Sequence, residues 1–251
     1  GAVKHGTGRN DADQGARCAP FGLSGGDLLS ETVRQAETLA PGPWRVHNGC
    51  LATPVPFRLA KERQTSAEVC AQALAASVDL TGTWFSQAVP AGGYLNLVFA
   101  AEWYDAAARE PAQVGVPVTD PVPPIPDFPA EIFPGDWRCL CRTQKKPPTP
   151  QLAARQDAGN PAWLVRYTAE RLQRLAERSV PVSQDWTEGE QALLRLAAEF
   201  DQRQEKDTPG QLFRYLVELA RQVWQVRCFA GGAAVRCARV LAAGYETLAR
   251  A

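Results

Sequence analysis

The sequence is poor in the residues that catalytic and metal sites commonly use. It contains only two histidines, His5 and His47, so a Ser-His or Cys-His nucleophilic pair has few candidates. Its seven cysteines are odd in number and include no Cys-x-x-Cys pair, which favours reduced thiols. A zinc site on Cys139 and Cys141 would need ligands from other segments. We therefore expect no catalytic residue, no metal and no cofactor.

Long apolar runs are also missing. No segment approaches about 18 consecutive apolar residues, and the first residues lack the basic, apolar and small-residue succession of a signal peptide. We expect a soluble, cytoplasmic protein with no membrane partner. Its 251 residues, 45% of them apolar, are enough to bury a core and to form two small domains.

Charge is balanced overall but segregated along the chain. The 27 Lys and Arg residues equal the 27 Asp and Glu residues, which counts against a general nucleic-acid coat protein. Basic residues nevertheless outnumber acids nine to four over residues 135–180 and six to two over residues 208–251, whereas acids dominate residues 61–134 and 181–207. A protein with one anion-facing side would require such segregation.

Apolar periodicity predicts an α+β protein with two domains. We expect a disordered tail (1–22), a small α/β domain (23–110), a proline-rich linker (111–158) and an all-α helical bundle (159–251). Within the α/β domain, residues 25–40, 65–77 and 100–110 have helical patterns. Residues 43–52 and "FRLA" (57–60) look extended, and two short strands flank the turn at 90–93.

Proline density defines the linker, and capping residues define the bundle. Residues 111–161 hold 12 of the 20 prolines, which excludes long helices and interior strands, although "PGDWRCLCRTQ" (134–144) could form a short structured island. Thr187 with Glu190, and Thr208 with Gln211, are spaced as capping boxes at the starts of two later helices. Four or so helices with short links predict a bundle.

The first bundle helix has two distinct sides. Asn160 is a typical N-cap and Pro161 occupies the first helical position. An apolar stripe runs from Val165 to Ala176, and a second stripe carries Tyr167, Arg171, Arg174 and Arg178. The second stripe is either an ordinary solvated face or an edge that contacts phosphates.

Several segments together resemble two parts of one enzyme family. In the bundle, "NPAWLVRYTAERLQRL", "EQALLRLAAEF", "QLFRYLVELARQVWQV" and "ARVLAAGYETL" resemble, in order, the anticodon-binding (DALR) bundle of arginyl-tRNA synthetases. Tyr167 and Arg171 match that family's opening helix, although Ala169 replaces its usual histidine. Upstream, "FRLAKERQTSAEVCAQAL", "AGGYLNLVF" and "AEWY" resemble the family's N-terminal domain, which contacts the tRNA elbow.

The catalytic part of such a synthetase is missing from the resemblance. That domain, with its His-Ile-Gly-His-type signature, would lie where only the linker stands. "KHGTG" and "VHNG" are not that signature, and no Gly-rich phosphate loop appears. The resemblance therefore implies a non-catalytic protein that does not aminoacylate tRNA.

The resemblance implies a tRNA-binding surface on both domains. Its ligand would be tRNA, with arginine isoacceptors first, and its candidate protein partner a tRNA-modifying enzyme or a synthetase. Arginines would contact phosphates, and an exposed aromatic such as Trp163, Tyr167 or Trp224 would stack on a loop base. Lys145 and Lys146 could add non-specific attraction. The candidate residues are Tyr94, Asn96, Trp163, Tyr167, Arg171, Arg174, Arg178, Arg214, Arg221, Arg236 and Arg239.

Each of these assignments has a structural alternative. Asn96 could simply bond the backbone of its strand, Trp224 could be a core residue, Arg171 could hold the bundle together, and Lys145 and Lys146 could be solvated linker charges. The whole chain could also be a protein-interaction scaffold that has lost its affinity for RNA.

Overall fold

The protein consists of a four-stranded sheet with helices, followed by a helical region. The computed structural model describes residues 27–177, 186–226 and 231–250. The predicted α+β class is confirmed. The predicted disordered tail, residues 1–22, lies outside the described residues. No helix in these ranges is long and apolar enough to cross a membrane.

The N-terminal domain contains the predicted strands and helices around one antiparallel sheet, in the strand order β1-β2-β4-β3. Its elements are α1 (Leu28–Leu39), β1 (Arg45–His47), β2 (Cys50–Thr53), α2 (Val55–Arg63), α3 (Ala67–Ser77), β3 (Phe85–Ala91), β4 (Tyr94–Phe99) and α4 (Ala101–Arg109). The extended prediction for residues 57–60 is wrong, because they belong to α2. Pro56 suits the first helical turn, and the following Arg, Leu, Ala and Lys are good helix formers.

Within the described ranges, helices cover one face of the sheet. Leu51, Leu95, Leu97 and Phe99 alternate into a core shared with α1 and α4. Trp103 of α4 is fully buried there and stacks on Phe99 at a centroid distance of 4.3 Å. On the opposite face, Arg45, His47, Val89 and Tyr94 are exposed, whereas Asn96 and Val98 are half-buried.

The proline-rich connector contains the predicted structured island, which is helical, and packs on the bundle. Its helices are α5 (Pro134–Thr143) and the short α6 (Pro150–Ala153). Ile132, Trp137 and Leu140 belong to the bundle core, and the Trp137 indole donates to the Pro123 carbonyl at 2.9 Å. The described connector is therefore attached along its length rather than hanging free between the domains.

The remaining helices are α7 (Pro161–Ala176), α8 (Glu188–Ala198), α9 (Phe200–Lys206), α10 (Pro209–Gln225) and α11 (Gly231–Ala249). The N-cap at Asn160 and both predicted capping boxes are confirmed. The helix expected from Thr187 onward divides into α8 and α9 at Glu199. Helix α11 approaches α10 so closely that a Cβ at Gly244 would lie 2.6 Å from a Leu216 methyl.

An ion pair joins the sheet region to the helical region. The Arg236 guanidinium of α11, which is fully buried, lies 2.8 Å from the Glu110 carboxylate at the end of α4. The second Glu110 oxygen accepts from the Leu28 amide, and Arg236 also donates to the Ala197 carbonyl. Elements α1, α4, α8 and α11 therefore meet around this one pair.

Candidate nucleic-acid interface

Four flat side chains form one continuous stack at the surface between α7 and α10. Trp163 and Tyr167 lie 4.5 Å apart with ring planes 9° from parallel. Tyr167 and Trp224 follow at 6.2 Å and 12°. The Arg171 guanidinium completes the stack, with its carbon 4.3 Å from the Trp224 ring centroid. Trp224 thus fits between the second and third of three α7 side chains.

The local sequence explains the three stack residues on α7 but not the position of Trp224. Trp163, Tyr167 and Arg171 are spaced by four residues and so lie above one another on α7. Trp224 comes from α10, and its indole N–H donates to the buried Thr168 hydroxyl at 2.9 Å. That hydrogen bond orients the indole within the stack.

The stack is accessible to a ligand. Trp224 is 45% exposed, so the alternative that it is a core residue is wrong. Trp163 and Tyr167 are half-buried, and Arg171 is exposed. An aromatic side chain with a free face can accept an unpaired base, and an arginine plane can do the same.

Three further predicted arginines lie on the exposed sides of the same two helices. Arg174 is one turn beyond Arg171 and forms a solvent-exposed pair with Glu170 at 3.7 Å. Arg214 and Arg221 are exposed, lie seven residues apart on α10 and form no ion pair within the described chain. Glu218 lies between them and accepts from Gln222. This side of the bundle is therefore basic with interspersed acids.

The remaining bundle arginines are distributed differently. Arg236 was predicted to contact tRNA, and the structure contradicts this, because it is fully buried against Glu110 and cannot reach a ligand. A buried cation requires a partner, and Glu110 lies 126 residues away in sequence. Arg239, on the same helix, is exposed, but no described contact joins it to the stack. Arg178 lies outside the described residues.

The two predicted residues of the N-terminal domain lie on the open face of the sheet. Tyr94 is 44% exposed and makes an edge contact with Phe57 at 5.1 Å. The Asn96 amide donates to the Val89 carbonyl of the paired strand at 3.1 Å, as the structural alternative held, and its oxygen stays free to accept. Both line a shallow cavity of about 870 Å³ on this face.

Sequence reasoning missed the rest of this open face. Strand pairing places Arg45 beside Ala52 and His47 beside Cys50, in the same rows as Asn96 and Val98. The alternation of polar and apolar residues in "RVHNGCLA" was the available signal. It predicted a strand but could not show which strand would lie next to it.

The described residues contain no group of three or more His, Cys, Asp or Glu side chains that could hold a metal ion. Cys139 is fully buried, and this burial raises the pKa of its thiol. Such a thiol stays protonated at neutral pH and is neither a nucleophile nor a metal ligand.

The comparisons with known proteins give no match: no family model fits the chain, and no curated protein or solved structure is significantly similar to it. The likeness to arginyl-tRNA synthetases therefore remains a hypothesis carried by the quoted motifs.

Proposed function

We propose that this protein is a non-catalytic, cytoplasmic tRNA-binding protein, with arginine tRNAs as its first candidate ligands. The observation that carries the proposal is the stack of Trp163, Tyr167, Trp224 and Arg171. Three parallel rings and a guanidinium at a solvent-exposed surface are more than bundle packing needs. They suit a ligand made of flat bases and phosphates.

The mechanism of binding follows from these side chains. A base that leaves the stacking of an RNA loop would continue the protein stack at its Trp163 end or cover the open edge of Trp224. Such a contact stabilises the complex by about 1–3 kcal/mol per base. Arg174, Arg214 and Arg221 would contact the phosphates on either side and release counterions. The open sheet face, with Tyr94 and Asn96, would contact a second part of the same tRNA.

The domain arrangement supports one extended ligand. Glu110 and Arg236 join α4 to α11 through a buried pair, which favours one relative orientation of the sheet and the helical region. A folded RNA such as tRNA presents its loops in a fixed geometry and can contact both surfaces at once. Delivery of the bound tRNA to a modifying enzyme or a synthetase is the role we propose for such an adaptor.

The direct test is a salt titration of tRNA binding with purified protein. We expect an arginine tRNA to bind, with an affinity that falls steeply as salt rises. Arg214→Gln and Arg221→Gln should each lower the slope of log K against log salt by about 0.7–0.9. Arg34→Gln, on α1 and already paired with Glu31, is the matched control and should change nothing.

Two outcomes would contradict the proposal. Absence of binding at low salt would favour the alternative of a protein-interaction scaffold. An unchanged salt slope in both variants would exclude this side of the bundle as the RNA surface. Sequencing of the RNA that co-purifies with the protein would identify the ligand. We expect one isoacceptor family to be enriched in that RNA.

A further inference from the structure

A polar cleft lies between the two domains, away from the aromatic stack. It has a volume of about 500 Å³, and the side chains of Asn48, Tyr104, Trp186, Glu188, Gln191 and Arg195 line it. Asn48 belongs to the β1–β2 turn and Tyr104 to α4, whereas Gln191 and Arg195 belong to α8. Both domains therefore contribute polar groups to one cavity.

Arg195 is held in a defined position at the centre of this cleft. One of its terminal nitrogens donates to the Tyr104 hydroxyl at 2.6 Å. On the other side its guanidinium lies against the backbone of Gly49, where an added Cβ would be 3.2 Å from the guanidinium carbon. Gly49 has a φ of +80°, which favours glycine, so the turn conformation and the close approach require the same residue.

The charge of Arg195 has no acidic partner within the described chain. Arg236, at the same domain boundary, is neutralised by Glu110, but Arg195 forms no ion pair there. The nearby Asp105 carboxylate accepts from the Trp186 indole at 2.9 Å, and Glu188 is exposed at the rim. Burial raises the pKa values of the Tyr104 hydroxyl and the Cys50 thiol, and the positive charge of Arg195 opposes both shifts.

We propose that this cleft binds a phosphate group, with the remaining N–H groups of Arg195, the Asn48 amide and the Tyr104 hydroxyl as donors. A guanidinium has a forked set of donors that matches two phosphate oxygens. Tyr104 accepts from Arg195 through its oxygen, so its own O–H is free to donate to the anion. The Gln191 amide is already bonded to the Trp186 carbonyl and orients the wall of the cleft.

The phosphate has two possible sources, a free nucleotide or the backbone of an RNA that crosses the domain boundary. Neither source is needed to detect the site, because inorganic phosphate presents the same oxygens. The proposal therefore stands apart from the proposed RNA binding and can succeed or fail without it.

The experiment is a calorimetric titration of the full chain with inorganic phosphate, at an ionic strength held constant with sodium chloride. We expect wild-type protein to bind phosphate and Arg195→Gln to weaken that binding by about tenfold or more. Arg34→Gln should bind like the wild type. Absence of phosphate binding, or equal binding by Arg195→Gln, would overturn the proposal.

A second variant protects the test against a folding defect in Arg195→Gln. Glu188→Gln removes the exposed acid at the rim and leaves Arg195 in place, so it should tighten phosphate binding about two- to threefold. Unchanged or weaker phosphate binding by this variant would also count against the site.

Two further arms separate the sources of the phosphate. If AMP binds at least tenfold more tightly than inorganic phosphate, the ligand is a nucleotide. If AMP and phosphate bind equally and Arg195→Gln lowers the salt slope of tRNA binding by about 0.7–0.9, the ligand is the RNA backbone. Both results retain the phosphate site and decide what occupies it.

Discussion

The guanidinium carbon of Arg171 lies 4.3 Å from the centre of the Trp224 ring, and this contact joins α7 to α10 at the protein surface. Trp224 and Arg171 are the last two members of the stack that is proposed to bind an RNA base. Arg171 therefore makes the structural contact that the sequence offered as one alternative, and its role in RNA binding stays a proposal.

The contribution of this contact to the free energy of unfolding can be measured in a double-mutant cycle. We expect Arg171→Ala and Trp224→Ala to couple by about 0.5–1 kcal/mol in the free energy of unfolding, because an exposed cation–π contact stabilises by that amount. Urea denaturation of the two single variants and the double variant measures it. Trp224→Phe, which keeps a ring but loses the bond to Thr168, is the control and should retain part of the coupling. Strict additivity of the two single changes would show that the contact is not formed in solution.

The buried pair between Arg236 and Glu110 predicts a large loss of stability. Arg236→Leu would leave the Glu110 carboxyl buried without its cationic partner, so it must either stay charged and unpaired or take up a proton on folding, at a cost of up to about 3–5 kcal/mol. We expect the thermal midpoint to fall by roughly 10 °C. Arg239→Leu, an exposed arginine on the same helix, is the matched control and should leave the midpoint nearly unchanged. Similar midpoints for the two variants would contradict the burial of Arg236.

Glu110 should also give the stability of the protein an unusual pH dependence. Burial raises the pKa of this carboxyl, and the charges of Asp201 and Asp27 add to the rise, whereas Arg236 and the Leu28 amide oppose it. The folded protein therefore holds this proton more tightly than the unfolded chain does. The stability from this group is present below its ordinary pKa and is lost as the pH rises through the raised pKa.

Measuring the stability of the wild type and of Glu110→Gln between about pH 4 and about pH 7 tests whether this contribution falls as the pH rises. Glutamine does not titrate. It will lower stability at every pH, because its amide NH2 group must face a donor, either the Arg236 guanidinium or the Leu28 N–H. We expect the wild-type advantage over Glu110→Gln to shrink as the pH rises. An advantage that grows over this range would mean that Arg236 holds the Glu110 pKa below its ordinary value.

The thiols should differ in reactivity according to burial. Among the described cysteines, Cys70, Cys139 and Cys237 are buried, whereas Cys50 and Cys141 are half-buried. Burial raises the pKa of Cys237 to about 12 and raises that of Cys139 as well. With iodoacetamide at neutral pH, mass spectrometry should find Cys50 and Cys141 labelled before Cys70, Cys139 and Cys237. Early labelling of Cys237 in folded protein would contradict its position in the bundle core.

Local signals in the sequence predicted most of the helices. Asn160 before Pro161, and the capping boxes that begin at Thr187 and Thr208, mark helix starts through contacts within a few residues. The Gly-Gly turn at 92–93 marks the hairpin of β3 and β4 in the same way. Such signals work because their donors and acceptors lie in one short segment.

The sequence predicted only part of the candidate RNA-binding surface. The spacing of Tyr167 and Arg171 placed both on one side of α7, but it could not show that Trp224 would fit between them. Arg236 and Arg239 look equivalent in sequence, yet one is buried and the other exposed. Arg195 lies within the quoted segment "EQALLRLAAEF", but nothing in that segment indicated a binding role for it.

The sequence by itself determined where helices and strands begin and which side chains share a face, because both depend on the backbone repeat of a single element. Only the tertiary structure decided which arginines keep a free charge, since that depends on whether a carboxylate from a distant segment, such as Glu110, is brought within reach. Packing between elements, rather than periodicity within them, therefore separates a cation that can meet a ligand from one that holds the domains together.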